Sequence, residues 1–122
     1  MSKILIADDN EHNLYIARFL LEDAGHETVQ VTSGEEAVNT ASADNFDLIL
    51  MDIQMPGMDG IEATRRIKAA GVSAPIVALT AKAMSGDKEA ILAAGCDGYI
   101  SKPFEVEVFV AVVERYLSER RE

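Results

Sequence analysis

Five short apolar runs alternate with five stretches of helical periodicity, and this alternation restricts the fold more than any other feature of the chain. The runs fall at 3–7, 27–32, 47–51, 75–80 and 98–101, with Lys3-Ile4-Leu5-Ile6-Ala7 and Asp47-Leu48-Ile49-Leu50-Met51 as the clearest. Each is strand-length, apolar and bounded by polar residues, so each reads as a buried parallel strand. Helical patterns fall at 11–24, 34–44, 60–70, 85–94 and 105–118. Right-handed crossovers then place helices on both faces of one sheet. The predicted fold is α/β, a doubly wound five-stranded parallel sheet of order 2-1-3-4-5 with five helices.

Local punctuation agrees. Gly25, Gly71 and Gly95 are placed to close helices, and Ser33 with Glu36 has capping-box spacing. Pro75 enters the fourth strand, and Met55-Pro56-Gly57-Met58-Asp59-Gly60 is a turn-rich loop. At 122 residues the chain is expected to be one domain, 1–122. Only Ser118-Glu119-Arg120-Arg121-Glu122 is expected after the last helix, with no output domain. No apolar stretch is long enough to span a bilayer, and with the first strand entered at Lys3 no signal peptide is expected. A net charge of −10 disfavours nucleic acid, which needs a basic stripe. The single cysteine, Cys96, excludes an internal disulfide and fits a reducing, cytoplasmic setting. No basic neighbour of the kind a reactive thiol needs is evident in the adjoining sequence.

Polar residues sit where the runs end. Asp8 and Asp9 follow the first, Asp52 follows the third, Thr80 ends the fourth and Lys102 follows the fifth. In an open α/β sheet the carboxyl ends of the strands form the ligand crevice. The order 2-1-3-4-5 makes the first and third strands neighbours, which brings three carboxylates together. Two like charges about 4 Å apart cost roughly 4 kcal/mol at an effective dielectric near 20. A hard divalent cation relieves that repulsion, and Mg²⁺ suits one or two carboxylates together with phosphate oxygens. The chemistry expected here is phosphoryl transfer.

Taken together, Asp8-Asp9-Asn10, Met51-Asp52-Ile53-Gln54-Met55-Pro56-Gly57-Met58-Asp59-Gly60, Leu79-Thr80-Ala81 and Ser101-Lys102-Pro103-Phe104 carry a family resemblance. The chain resembles a receiver domain of the two-component response regulators, with the flavodoxin-like receiver fold, over its whole length. Through Ala83-Met84, Gly95-Cys96 and Tyr99-Ile100-Ser101-Lys102-Pro103 it is similar to the stand-alone, DivK-type regulators. The resemblance implies that Asp52 is the phosphoacceptor. Asp9, Asp52 and the backbone carbonyl of Gln54 would bind Mg²⁺, with Mn²⁺ able to substitute, and Asp8 would act through metal-bound water. Lys102 and Thr80 would each hold a phosphoryl oxygen, and small Ala81 would leave access. A cis peptide before Pro103 would aim Lys102 inward. Gln54 and Lys82 would tune the lifetime of the aspartyl phosphate.

The same resemblance makes Thr80 and Tyr99 a two-state element that alters the face of the fourth helix, fifth strand and fifth helix. That face would bind a downstream protein target, and phosphorylation-dependent dimerisation is one use of it. In the last helix, Val106, Phe109, Val110, Val113 and Leu117 are expected to face the core. Val108, Val112 and Tyr116 form a second stripe, read as a docking surface. In the first helix, Ile16, Ala17, Leu20, Leu21 and Ala24 fit a buried face. Tyr15 and Phe19 fall outside it, positioned to meet a histidine kinase or histidine phosphotransfer protein. His12 and His26 are expected to be ordinary surface residues.

The expected function is a single-domain response regulator in a phosphorelay, which accepts a phosphoryl group from a histidine kinase or phosphotransfer protein. It catalyses only its own phosphoryl acceptance and slow autodephosphorylation, so it is not expected to be an enzyme. One alternative is a receiver module separated from a hybrid histidine kinase. Another is a Mg²⁺-dependent phosphatase with an Asp nucleophile, which usually carries a second Asp two residues later, where this chain has Gln54. A flavodoxin-like cofactor binder ranks last, because Asp8-Asp9-Asn10-Glu11 would repel a flavin phosphate.

Overall fold

A computed structural model describes residues 2–80, 87–102 and 105–121. The elements are β1 (Lys3–Ala7), α1 (Glu11–Asp23), β2 (Glu27–Val31), α2 (Gly34–Ala43), β3 (Leu48–Asp52), α3 (Gly60–Ala69), β4 (Ile76–Thr80), α4 (Asp87–Ala93), β5 (Gly98–Ser101) and α5 (Val106–Arg121). The sheet runs β2-β1-β3-β4-β5 with every pairing parallel, which is the expected order.

Side chains alternate across each strand, so the two faces of the sheet bury different residues. Ile4, Ile6, Leu48, Leu50, Val77, Leu79 and Ile100 pack under α1 and α5. Leu5, Ala7, Ile49, Met51, Ile76 and Ala78 pack under α2, α3 and Ile91 of α4. Both faces are covered, which explains why the central strands are apolar throughout rather than alternating.

Short polar side chains set the helix starts. Asn10 Oδ1 accepts the Asn13 N–H at 3.1 Å, Ser33 Oγ accepts the Glu36 N–H at 3.1 Å, and Asp59 Oδ1 accepts the Glu62 N–H at 2.9 Å. The return arm of the Ser33 box reaches back one residue further, with Glu36 Oε1 accepting the Thr32 hydroxyl at 2.9 Å. Gly95, at φ 109°, takes the left-handed conformation that ends α4.

Several expectations need correction. Helix α5 continues through Arg121, because no breaker follows Leu117 and Arg115 pairs with Glu119 one turn on, at 3.8 Å. Its core stripe is Phe109, Val113 and Leu117, with Val110 partly buried, whereas Val106 is 54% exposed in the first turn. In the second stripe Val112 and Tyr116 pack partly on the core, and Val108 stays exposed. In α1 the buried residues are Leu14, Ala17 and Leu21; Ile16 and Leu20 are partly buried, and Ala24 is an exposed cap. His26 is buried rather than a surface residue, held between the start of the sheet and α5. Among the described residues, no helix is long and apolar enough to cross a membrane.

Phe109 is fully buried between α5 and the sheet. Phe109→Ala is expected to cost about 3–5 kcal/mol in urea unfolding, while Val106→Ala costs less than about 0.5 kcal/mol. Equal costs at the two positions would contradict this assignment of the α5 core face.

Candidate functional site

The crevice forms where β1, β3, β4 and β5 end. β1 and β3 pair Ala7 with Met51, so Asp8 and Asp52 leave adjacent strands at one level. β3 and β4 pair Asp52 with Leu79, and β4 and β5 pair Thr80 with Ser101, which brings Thr80 and Lys102 to the same edge. Backbone hydrogen bonds extend three of the pairings, β1–β2, β3–β4 and β4–β5, past the ladder. The N–H of Asp8 donates to Val31 O at 3.1 Å, that of Ile53 to Leu79 O at 3.1 Å and that of Lys102 to Thr80 O at 2.8 Å.

Asp8 and Asp52 are buried, at 1% and 4% exposure, and Asp9 is exposed at the rim. One ligand oxygen from each of Asp8, Asp9 and Asp52 lies within 4.8 Å of the others. Lys102 bridges the buried pair, with Nζ 2.9 Å from Asp8 Oδ2 and 3.4 Å from Asp52 Oδ1. One ammonium facing three carboxylates leaves the cluster net negative. Backbone donors supply further support. The Asn10 N–H donates to Asp8 Oδ1 at 2.9 Å and the Gln54 N–H to Asp52 Oδ1 at 3.1 Å. The donor set is all oxygen, acidic and open on the Asp9 side, which fits a hard divalent cation.

Burial first, and then the charge of Asp8, push the Asp52 carboxyl up from its ordinary 3.8 to about 6, while Lys102 and the Gln54 N–H partly oppose the shift.

Gly60, which the sequence places only at the end of a turn and the start of the third helix, is also a support for the site. Its N–H donates to Ile53 O at 3.0 Å, and a Cβ there would strike the Asp52 carbonyl and lie 2.8 Å from Ile53 Cα. The α3 start can close on the Asp52 backbone only because this residue is glycine. The direct pairing of Lys102 with Asp8 also went unread, since 94 residues separate the partners.

Thr80 is buried at the end of β4. Tyr99 is half-buried on β5, with Lys88 Nζ 5.7 Å from its ring centroid. Together with Ile100, Ser101, Glu105, Val108 and Val112 it lines a groove of about 280 Å³. Tyr15 and Phe19 are 61% and 58% exposed and stack at 6.4 Å between centroids. Gln54 extends its side chain into solvent, and His12 is exposed. Ala81, Lys82, Ala83, Met84, Pro103 with its expected cis peptide, and Phe104 lie outside the described residues. Cys96 is buried against the Thr64 hydroxyl, 3.7 Å away, and burial pushes its thiol up, as befits a packing residue.

Comparison with known proteins decides the family. Residues 4–114 match the model of the response regulator receiver domain. The chain belongs to that family. It is 42% identical over 118 residues to the polar-differentiation response regulator DivK of Brucella ovis, covering 95% of this chain and 96% of that protein. It is also 45% identical over 119 residues to the sensor protein GacS of Pseudomonas syringae pv. syringae, of which it spans only 13%. Among solved structures, the receiver domain of sensor histidine kinase PA1611 from Pseudomonas aeruginosa superposes with a TM-score of 0.89 at 37% identity, covering 96% of this chain and 98% of that one. That structure holds a magnesium ion in its active-site cleft. The receiver fold and the acidic crevice at its strand ends were therefore read correctly from the sequence.

The raised Asp52 value fixes a sign. The folded state holds this proton more tightly than the unfolded state, so the contribution is stabilising below about pH 4. It is lost as pH rises through about 6. Asp52→Asn is expected to stabilise the metal-free receiver at pH 7.5 by about 1–3 kcal/mol, or several degrees in Tm, with little effect at pH 4. Equal melting of variant and wild type at pH 7.5 would contradict the electrostatic account.

Proposed function

We propose that this receiver accepts a phosphoryl group on Asp52 and works as a free-standing cytoplasmic switch in a phosphorelay. One observation carries the proposal: buried Asp52 lies among Asp8, Asp9 and Lys102, so nucleophile, metal donors and a phosphate-binding cation share one crevice. The near full-length alignment with DivK supports the free-standing role. The higher identity to part of GacS supports a second reading, a receiver module within a longer kinase. Immunodetection of the native polypeptide separates these, a band near 13.2 kDa favouring the first.

In the proposed reaction a carboxylate oxygen of Asp52 attacks phosphorus in line, the phosphorus–nitrogen bond of a phosphohistidine breaks, and the imidazole leaves with the bonding electron pair and takes up a proton. Asp9, Asp52 and the Gln54 carbonyl would hold Mg²⁺, with Asp8 outside them, and the ion would supply positive charge toward the transferring group. Lys102 turns its ammonium from Asp8 toward a phosphoryl oxygen, and the Thr80 hydroxyl takes another. Hydrolysis ends the state, with Gln54 and Lys82 setting its lifetime. The protein acts on its own aspartate and turns over no separate substrate, so it is not proposed as an enzyme.

Thr80 drawn inward leaves room for Tyr99, and the groove beside Val108 and Val112 changes shape. That groove is the proposed surface for a downstream protein, or for a second copy after phosphorylation. The exposed Tyr15–Phe19 pair is the proposed contact for a histidine kinase or phosphotransfer helix.

Intact mass after incubation with acetyl phosphate tests the core of this reading. Wild type is expected to gain one phosphoryl group with Mg²⁺ and none without it, and Asp52→Asn to gain none. Normal labelling of Asp52→Asn would refute the site. Lys102→Ala is expected to accept phosphate more slowly, by about 10-fold or more, and to lose phosphorylation-dependent partner binding. Wild-type switching in that variant would remove Lys102 from the mechanism.

A further inference from the structure

The end of the sheet opposite the crevice contains a polar junction that the phosphoryl chemistry does not use. His26, just before β2, is 8% exposed. Its Nδ1 accepts the backbone N–H of Ser2 at 3.3 Å, and its Nε2 lies 2.6 Å from Oε1 of Glu114 on α5. An amide N–H can only donate, so Nδ1 must carry the lone pair, and the ring proton resides on Nε2 and is donated to Glu114. Ser2 is fixed in turn, because its carbonyl accepts the Glu27 N–H at 2.8 Å. The imidazole thus joins the starts of β1 and β2 to the middle of α5.

A second anchor lies two residues further along the helix. The Tyr116 hydroxyl donates to the Asp97 carbonyl at 3.1 Å, immediately before β5. The contact is close enough that a Cβ on Gly98 would collide with this hydroxyl and lie 2.8 Å from Tyr116 Cζ. Glycine at the start of β5 is therefore what lets Tyr116 seat. Both anchors fall in the second half of α5, whereas its first turn exposes Val106 and Val108, the latter lining the groove at Tyr99. Apolar packing of Phe109 opposes separation of the helix from the sheet but tolerates small rotations. Directional hydrogen bonds do not.

We infer that His26, through Glu114, and Tyr116 clamp the second half of α5 to the strand-start end of the sheet, so that rearrangement driven from the crevice is confined to residues 105–112. His26 is a positioning residue in this device. The ligand response rests on the phosphoacceptor reading above; the clamp itself does not.

Amide hydrogen exchange on the full chain tests it, using wild type, Glu114→Ala, Glu114→Gln and Tyr116→Phe. Glu114 is half-exposed, so neither of its variants threatens folding. Without ligand, exchange at 113–119 should rise about fivefold in Glu114→Ala and in Tyr116→Phe, and stay at the wild-type rate in Glu114→Gln, whose amide oxygen still accepts from Nε2. With Mg²⁺ and beryllofluoride, wild type should change only at 105–112, and Glu114→Ala should change through 119. Long-range ¹H–¹⁵N correlation should find the Nε2–H tautomer in wild type and in Glu114→Gln. An Nδ1–H tautomer, unchanged exchange in ligand-free Glu114→Ala, or a wild-type ligand response spread over the whole of α5 would each overturn the clamp. Absence of any bound beryllofluoride ¹⁹F signal would instead count against the phosphoacceptor reading and leave the ligand-free exchange to judge the clamp.

Discussion

Carboxylate repulsion at one edge of the sheet is the constraint on which the rest of this structure turns. Asp8 and Asp52 are buried side by side with Asp9 at the rim, an arrangement that costs free energy unless positive charge enters. Lys102 supplies part of it, reaching both buried carboxylates. A site left short of positive charge favours a divalent cation, and that cation would in turn let an anionic phosphoryl group approach. The parallel register makes this possible, since β1 and β3 end at the same level, and Gly60 lets the next helix start close on the Asp52 backbone.

The two ends of the sheet divide the labour. At the carboxyl ends lie Asp8, Asp52, Thr80 and Lys102, held by strand pairing and a few backbone donors. At the amino ends lie Ser2, His26 and Asp97, each bound to a partner that fixes either a strand start or α5. A switch of this design needs one region poised to move and another that holds the reference frame. The exposed valines in the first turn of α5 and the polar anchors in its second half follow that division.

Much of this was legible in the sequence, for physical reasons that can be named. Strand runs buried on both faces carry an unbroken apolar signal, so β1, β3 and β4 and their order could be read directly. Acidic residues at strand ends mark the crevice in the sequence itself. What escaped were contacts between residues remote in the chain. His26 reads as a surface histidine because its partners, Ser2 and Glu114, are 24 and 88 residues away. Periodicity also misplaced Val106: it continues the stripe of Phe109 and Val113, but it is the first residue of α5 and is 54% exposed. Helix α5 outran its expected end because its last residues are charged, and charged residues continue a helix as readily as they form a tail.

The central claim is that Asp52, among three neighbouring carboxylates, is the one that receives phosphorus. Reduction of the acetyl phosphate-treated protein with borohydride converts an aspartyl phosphate to homoserine, and tandem mass spectrometry of its peptides locates the change. The account predicts homoserine at residue 52 alone, formed only when Mg²⁺ was present. Homoserine at residue 8 or 9, or its formation without the metal, would contradict it.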